Sequence, residues 1–290
     1  MHPARRGRGM AILAAAFPVA QVLGMPAGLW FSRNFDWHAP FWFLGGLSSV
    51  VFVLAFFALP SVSSVRVTVP PMEQMQKILT HPIHIRAFML SAVLLFSGAL
   101  VAPFMAPYMM MNGGLGEVDI SWMYFVGGIV VFFSTRLFGW LSDRFDKLWV
   151  LCGITVFTIV SVLVITHWAT APLWVTLIFT TMFFVTMSGR FAPAMSMVSN
   201  SIAAEYRGGF MSVNAAGQQA CASFAHVVAG AMITKNAAEQ LIGYGNVGVL
   251  AAVAFVGSLV LAAWLRKAVP WAANNAIQRP EPTVSTTPHI

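Results

Sequence analysis

Charge is what this sequence has least of. Only 9% of its 290 residues are Asp, Glu, Lys or Arg, against about 25% in a soluble globular domain. Acidic residues are the scarcest. All nine (Asp36, Glu73, Glu117, Asp119, Asp143, Asp146, Glu205, Glu239 and Glu281) fall in loops, tails or the ends of apolar runs. The lack of a carboxylate inside an apolar run, and of a nucleophile–base pair or metal cluster, argues against an intramembrane hydrolase, and no enzymatic activity is expected. There are two cysteines, Cys152 and Cys221, both within apolar runs, and they read as small hydrophobes rather than a disulfide. His81-x-x-His84 has metal-like spacing but no acidic or thiolate partner, so no metal and no cofactor is expected.

Long apolar runs are abundant. Hydrophobic residues make up 58% of the chain and the mean hydropathy is +0.77. A bilayer-spanning helix needs about 20 consecutive apolar residues, and eight segments qualify: 10–31, 39–59, 87–110, 120–138, 148–168, 173–199, 208–233 and 247–266. A β-barrel would show alternating ten-residue stretches instead. The class is an all-α, multi-pass membrane protein whose first partner is the lipid bilayer.

The net charge of +7 is a topology signal. In an eight-span arrangement Arg5, Arg6, Arg8, Arg66, Lys77, Arg86, Arg144, Lys147, Arg207, Arg266, Lys267 and Arg279 share one side. Arg33 and Lys235 take the other, and Arg136 and Arg190 lie within spans. The positive-inside rule places the crowded side, with both termini, in the cytoplasm. No nucleic-acid partner is implied. The basic start followed by 10–31 imitates a signal peptide, but that run exceeds an h-region of about 7–15 residues and leads into further spans.

The long polar stretch 61–86 separates two spans from six. Within it Pro70-Pro71 opens a segment with Met72, Met75, Ile78 and Leu79 at helical spacing, which predicts a short interfacial helix ended by His81-Pro82. From Ala268 the chain is rich in Pro, Thr and Asn and reads as a disordered tail.

Two motifs carry a family resemblance. Gly139-Trp140-Leu141-Ser142-Asp143-Arg144-Phe145-Asp146-Lys147, read as a charged hairpin between two spans, resembles the loop signature of the major facilitator superfamily. Gly24-Met25-Pro26-Ala27-Gly28 followed by Trp37-His38-Ala39-Pro40-Phe41 looks like the fifth helix and following turn of its drug and sugar efflux members. Gly24 and Gly28 form a small-x-x-x-small pair suited to close helix packing, and Pro26 bends the span. His38 stands where the family has Arg, and Asp146 where it has Gly, so a strained turn is expected at Asp146.

The resemblance implies a truncated major facilitator fold holding family helices five to twelve. Residues 1–60 would be the last two helices of the N-terminal bundle, 61–86 the cytoplasmic interdomain linker, 87–267 the C-terminal six-helix bundle and 268–290 the tail. The implied activity is secondary transport of a small organic solute in a bacterial inner membrane, as proton-coupled efflux by the full-length parent. Two alternatives stand beside it: a non-transporting fragment, and a sugar or nucleoside uptake permease. The resemblance implies that family helices one and four would form the opposite wall of the path, which is expected to come from absent N-terminal helices or from a homo-oligomer.

Gly139, Asp143, Arg144 and Lys147 are the implied conformational latch, with Asp143 meeting the start of the first span within Arg5–Met10, where a helix N-terminus stabilises an anion. Polar residues inside spans are the candidates for the substrate or proton path. Arg190 is read as the one charge deep in the membrane, binding an anion or snorkelling. His226 either accepts protons near neutral pH or bonds a backbone carbonyl. Gln218 and Gln219 either line the path or join helices.

Overall fold

The computed structural model describes residues 24, 27–28, 30–58, 71–168, 170, 172–203 and 205–274. In chain order the elements are α1 (Ala39–Ala58), α2 (Pro71–Thr80), α3 (Pro82–Ala99), α4 (Ala102–Gly113), α5 (Glu117–Arg144), α6 (Lys147–His167), α7 (Leu173–Ser201) and α8 (Arg207–Met232). A two-stranded antiparallel hairpin follows, β1 (Thr234–Lys235) and β2 (Leu241–Ile242), and then α9 (Tyr244–Ala268) and α10 (Pro270–Ala273). Among the described residues six segments are long and apolar enough to cross a membrane: α1, α3 with α4, α5, α6, α7 and α9. Helix α8 has 26 residues but is too polar to be counted with them. Most of the expected first span lies outside the described residues.

Local chemistry sets the helix ends. Pro71 opens α2, and His81 caps α3, accepting at Nδ1 from the N–H of Ile83 at 3.3 Å with Pro82 at the first helical position. His84 is buried and its Nδ1 lies 3.1 Å from the Ile78 carbonyl oxygen. The two histidines thus serve backbone groups around the α2–α3 corner, and no group able to hold a metal occurs among the described residues.

The expected span 87–110 falls within one membrane-length segment, Pro82–Gly113, which is built of two helices. It starts at Pro82 and breaks at Leu100–Val101. Pro103 and Pro107 have no N–H to continue the ladder, and the Tyr244 hydroxyl donates to the Val101 carbonyl at 2.8 Å. Two further corrections concern ends. Helix α5 continues through Arg144, so most of the expected hairpin is its last turns; one glycine costs only about 1 kcal/mol in a helix. The first residues of the expected tail belong to the bundle instead: Val269, Ala272 and Ala273 are fully buried and α10 packs on α7.

Helix α7 is the hub, packing on α5, α6, α3 and α10, while α9 joins α3 to α6 and α3 meets α8. The α5–α7 contact is reciprocal. A Cβ at Gly127 of α5 would lie 2.5 Å from the Phe184 ring of α7, and one at Gly189 of α7 would lie 2.6 Å from the Phe138 ring of α5. Each glycine is the socket for the other helix's phenylalanine, the close approach that small residues permit in membrane bundles. By contrast, no residue of α1 is buried.

The bundle has two apolar clusters. One, toward the hairpin end, joins Leu100, Met105, Met123, Val131, Val162, Phe183, Ala229 and Phe255. The other, toward the opposite end, joins Leu90, Leu94, Leu151, Ala194, Val198, Phe210 and Leu265.

Candidate functional site

Between the two clusters five helices contribute polar residues. Ser97 on α3, Thr155 and Thr158 on α6, Arg190 on α7, Asn214 on α8 and Ser258 on α9 are all buried. Several bond within their own helix: Thr158 donates to the Ile154 carbonyl at 2.9 Å and Ser258 to that of Phe255 at 2.6 Å. Two contacts cross between helices. Ser91 donates to Asn214 Oδ1 at 2.6 Å, tying α3 to α8, and Arg190 reaches α3.

Arg190 is 1% exposed. Its Nη2 donates to Ser97 Oγ at 3.2 Å and to the Leu94 carbonyl at 3.5 Å, and Nη1 approaches the Met187 sulfur at 3.6 Å. The guanidinium carbon sits 4.2 Å from the centroid of the Phe255 ring. Nε has no partner, and no carboxylate pairs with the group among the described residues. The side chain is thus held between α7, Ser97 and Leu94 of α3 and Phe255 of α9.

The other path candidates share α8. Gln218 is half-buried, with Nε2 3.8 Å from the Met195 sulfur, whereas Gln219 and His226 are exposed. With Ser212 and Ser223 they give α8 an exposed polar face, which accounts for its lower apolarity. His226 makes no bond to a backbone carbonyl among the described residues.

At the end bearing the α5–α6 turn, charge is organised around two linking residues, Phe145 and Asp146. Asp146 caps α6, accepting from the Leu148 N–H at 3.0 Å, and its Oδ2 meets Arg266 Nη2 of α9 at 2.8 Å. Its φ is −61°, so the strain expected at this position is absent: an acidic cap works here in ordinary extended backbone. Lys147 is buried, 1% exposed, beside the carboxylates of Asp143 and Asp146, whose charges act on it. Arg144 lies over the Trp140 ring, 4.6 Å from its centroid. The expected contact of Asp143 with Arg5–Met10 involves residues outside the described ones, as does Pro26. At Gly24, Gly28 and Gly139 nothing described comes within 4 Å of an added Cβ.

One residue that sequence reasoning passed over is Arg136. It is exposed on α5, with its guanidinium carbon 5.4 Å from the Phe132 ring centroid. The expected span end at 138 leaves it two residues from the edge; with α5 running to Arg144 it stands eight residues inside, about 12 Å at 1.5 Å per residue. The i, i+4 spacing to Phe132 was the available signal.

Long apolar helices around a buried polar layer define an integral, multi-pass membrane protein. A model of the Major Facilitator Superfamily matches the chain over residues 1–225 and again over 87–288, and the chain belongs to that superfamily. The two overlapping matches suit a family built of repeat-related halves. The chain is 23% identical over 151 residues to a probable sugar efflux transporter of Helicobacter acinonychis (strain Sheeba), covering 52% of this chain and 38% of that protein. It is 28% identical over 145 residues to a chloramphenicol resistance protein of Streptomyces lividans, covering 48% and 36%. The matched stretch thus spans little more than a third of either relative.

Proposed function

We propose that the protein works in secondary transport, moving a small organic solute out of the cell against an inward flow of protons. The observation that carries this is the polar layer at mid-bundle, set between two apolar clusters and continued outward by Gln218, Gln219 and His226 on α8. Facilitator-type transporters hold their solute near the midplane, between bundles that rock about it. Polar groups in that position are costly unless they serve such a path or a partner. The two relatives, named for sugar efflux and for chloramphenicol resistance, support the outward direction. His226 is the titratable side chain on the exposed face of α8 and is our candidate proton carrier.

In this proposal the basic end of the bundle is cytoplasmic, as the positive-inside rule requires. Asp143, with Gly139, Arg144 and Lys147, forms a latch against the first span, and Gly24, Pro26 and Gly28 shape that span for packing. Residues 1–60 belong to one bundle, 61–86 link, and 87–267 form the core of the other. The test is flux of chloramphenicol and of a free sugar from proteoliposomes under an imposed pH gradient. Saturable, protonophore-sensitive movement of either, lost in His226→Ala, is the expected result. Gradient-independent leakage equal to that of empty liposomes would overturn the proposal.

A further inference from the structure

Helix α5 carries a second set of cations outside the polar layer. Phe132, Arg136, Trp140 and Arg144 follow one another at intervals of four, so successive members stack along the helix surface. The Arg136 guanidinium carbon is 5.4 Å from the Phe132 centroid, and that of Arg144 is 4.6 Å from the Trp140 centroid. Both arginines are exposed and neither is ion-paired among the described residues. Arg144 stands at the helix end, whereas Arg136 is about 12 Å further in, two turns deep in a span.

An exposed guanidinium at that depth is costly in hydrocarbon. Its aromatic neighbour offsets part of that. The carboxylate near this end, Asp143, is engaged electrostatically with Lys147. What the site lacks is an anion.

We propose that Arg136 and Arg144 form a two-step path for an oxyanion, and that amphiphiles with an aromatic or apolar body and a carboxylate, phosphate or sulfonate group are carried beside neutral solutes. This rests on the transport proposal above and adds a substrate class to it. Each step offers the same chemistry: a fork of N–H donors for the oxyanion and a ring face for the body of the solute. A cation of the same size meets two guanidiniums and is rejected.

The test uses the full chain labelled with 5-fluorotryptophan in phosphatidylcholine nanodiscs, the Trp140 resonance being assigned from Trp140→Phe. Naphthalene-2-sulfonate is titrated against the size-matched cation naphthylmethylammonium. The sulfonate is expected to shift the Trp140 signal saturably and the ammonium to leave it unsaturated. Arg136→Gln and Arg144→Gln should each weaken the sulfonate about tenfold, or about 1.4 kcal/mol, and Arg136→Lys should recover part of the loss. Equal responses to both probes, or an unchanged sulfonate response in both Gln variants, would overturn the proposal. So would displacement of the sulfonate by phosphatidylglycerol, which would assign the ladder to a lipid headgroup. Equilibrium binding needs no gradient, so anion binding without flux would remove the transport proposal and leave the site standing.

Discussion

The Arg266 guanidinium of α9 meets the Asp146 carboxylate in the α5–α6 turn at 2.8 Å. The same carboxylate group caps α6 through the Leu148 N–H. One acidic side chain therefore fixes both where α6 begins and where the last long helix ends against it. Removing it as Asp146→Ala should cost about 1–2 kcal/mol through the lost cap, with little more from an ion pair whose arginine is part-exposed. Asp146→Asn keeps the cap and should recover most of the loss. Thermal unfolding in detergent distinguishes these outcomes, and an Asn variant as unstable as the Ala variant would make the ion pair the larger contribution.

The α5–α7 contact gives a second expectation. Gly189 and Gly127 are sockets for Phe138 and Phe184, so Gly189→Leu should overpack the interface by about 1–3 kcal/mol. Combining it with Phe138→Ala frees the socket, and the double variant should be more stable than Gly189→Leu alone. If the two changes simply add, the rings and the glycines are not coupled.

At the opposite end Asn112 reads the hairpin as a strand would. Its Nδ2 donates to the Leu241 carbonyl at 3.0 Å, and its Oδ1 accepts from the Leu241 N–H at 2.9 Å. Asn112→Ala removes two hydrogen bonds of about 0.5–1.5 kcal/mol each. Amide exchange should rise across 234–242 and stay unchanged in α6. Uniform protection in the variant would show that the hairpin holds itself.

Much of this architecture is legible in the residues, because helix-length apolar runs report themselves. The spans expected at 39–59, 148–168, 173–199, 208–233 and 247–266 coincide with helices to within a few residues, and so does the short helix after Pro70-Pro71. What fails is tertiary. Nothing local says that Val269, Ala272 and Ala273 are buried, so the Pro270–Ala273 turn looked like the start of a tail. Nor does a span's composition tell which side of α7 Arg190 occupies. The polar layer is hidden in the sequence for a related reason. Serine and threonine can bond the carbonyl of their own helix anywhere in a span, so only the packing of several helices shows Ser97, Thr158 and Ser258 at one level.

Arg190 gives the most discriminating expectation. It is buried without a counter-ion, its bonds to Ser97 and Leu94 are long at 3.2 and 3.5 Å, and Nε has no partner. Holding an unpaired guanidinium in an apolar bundle costs several kcal/mol, and neither these contacts nor the Phe255 face are strong enough to repay it. Fold stability alone would be served better by an apolar side chain of similar length. Arg190→Met is therefore expected to unfold at the same temperature as the parent or higher, by the equivalent of about 1–4 kcal/mol if it behaves like other buried charges replaced by packed apolar groups. Arg190→Ala leaves a cavity and should be less stable than Arg190→Met. Under the transport proposal, the Met variant should lose flux while keeping its fold, since only the charge has gone. If Arg190→Met instead falls apart as readily as Arg190→Ala, the guanidinium is a structural clasp between α7 and α3, and the charge at mid-bundle has no role in handling the solute.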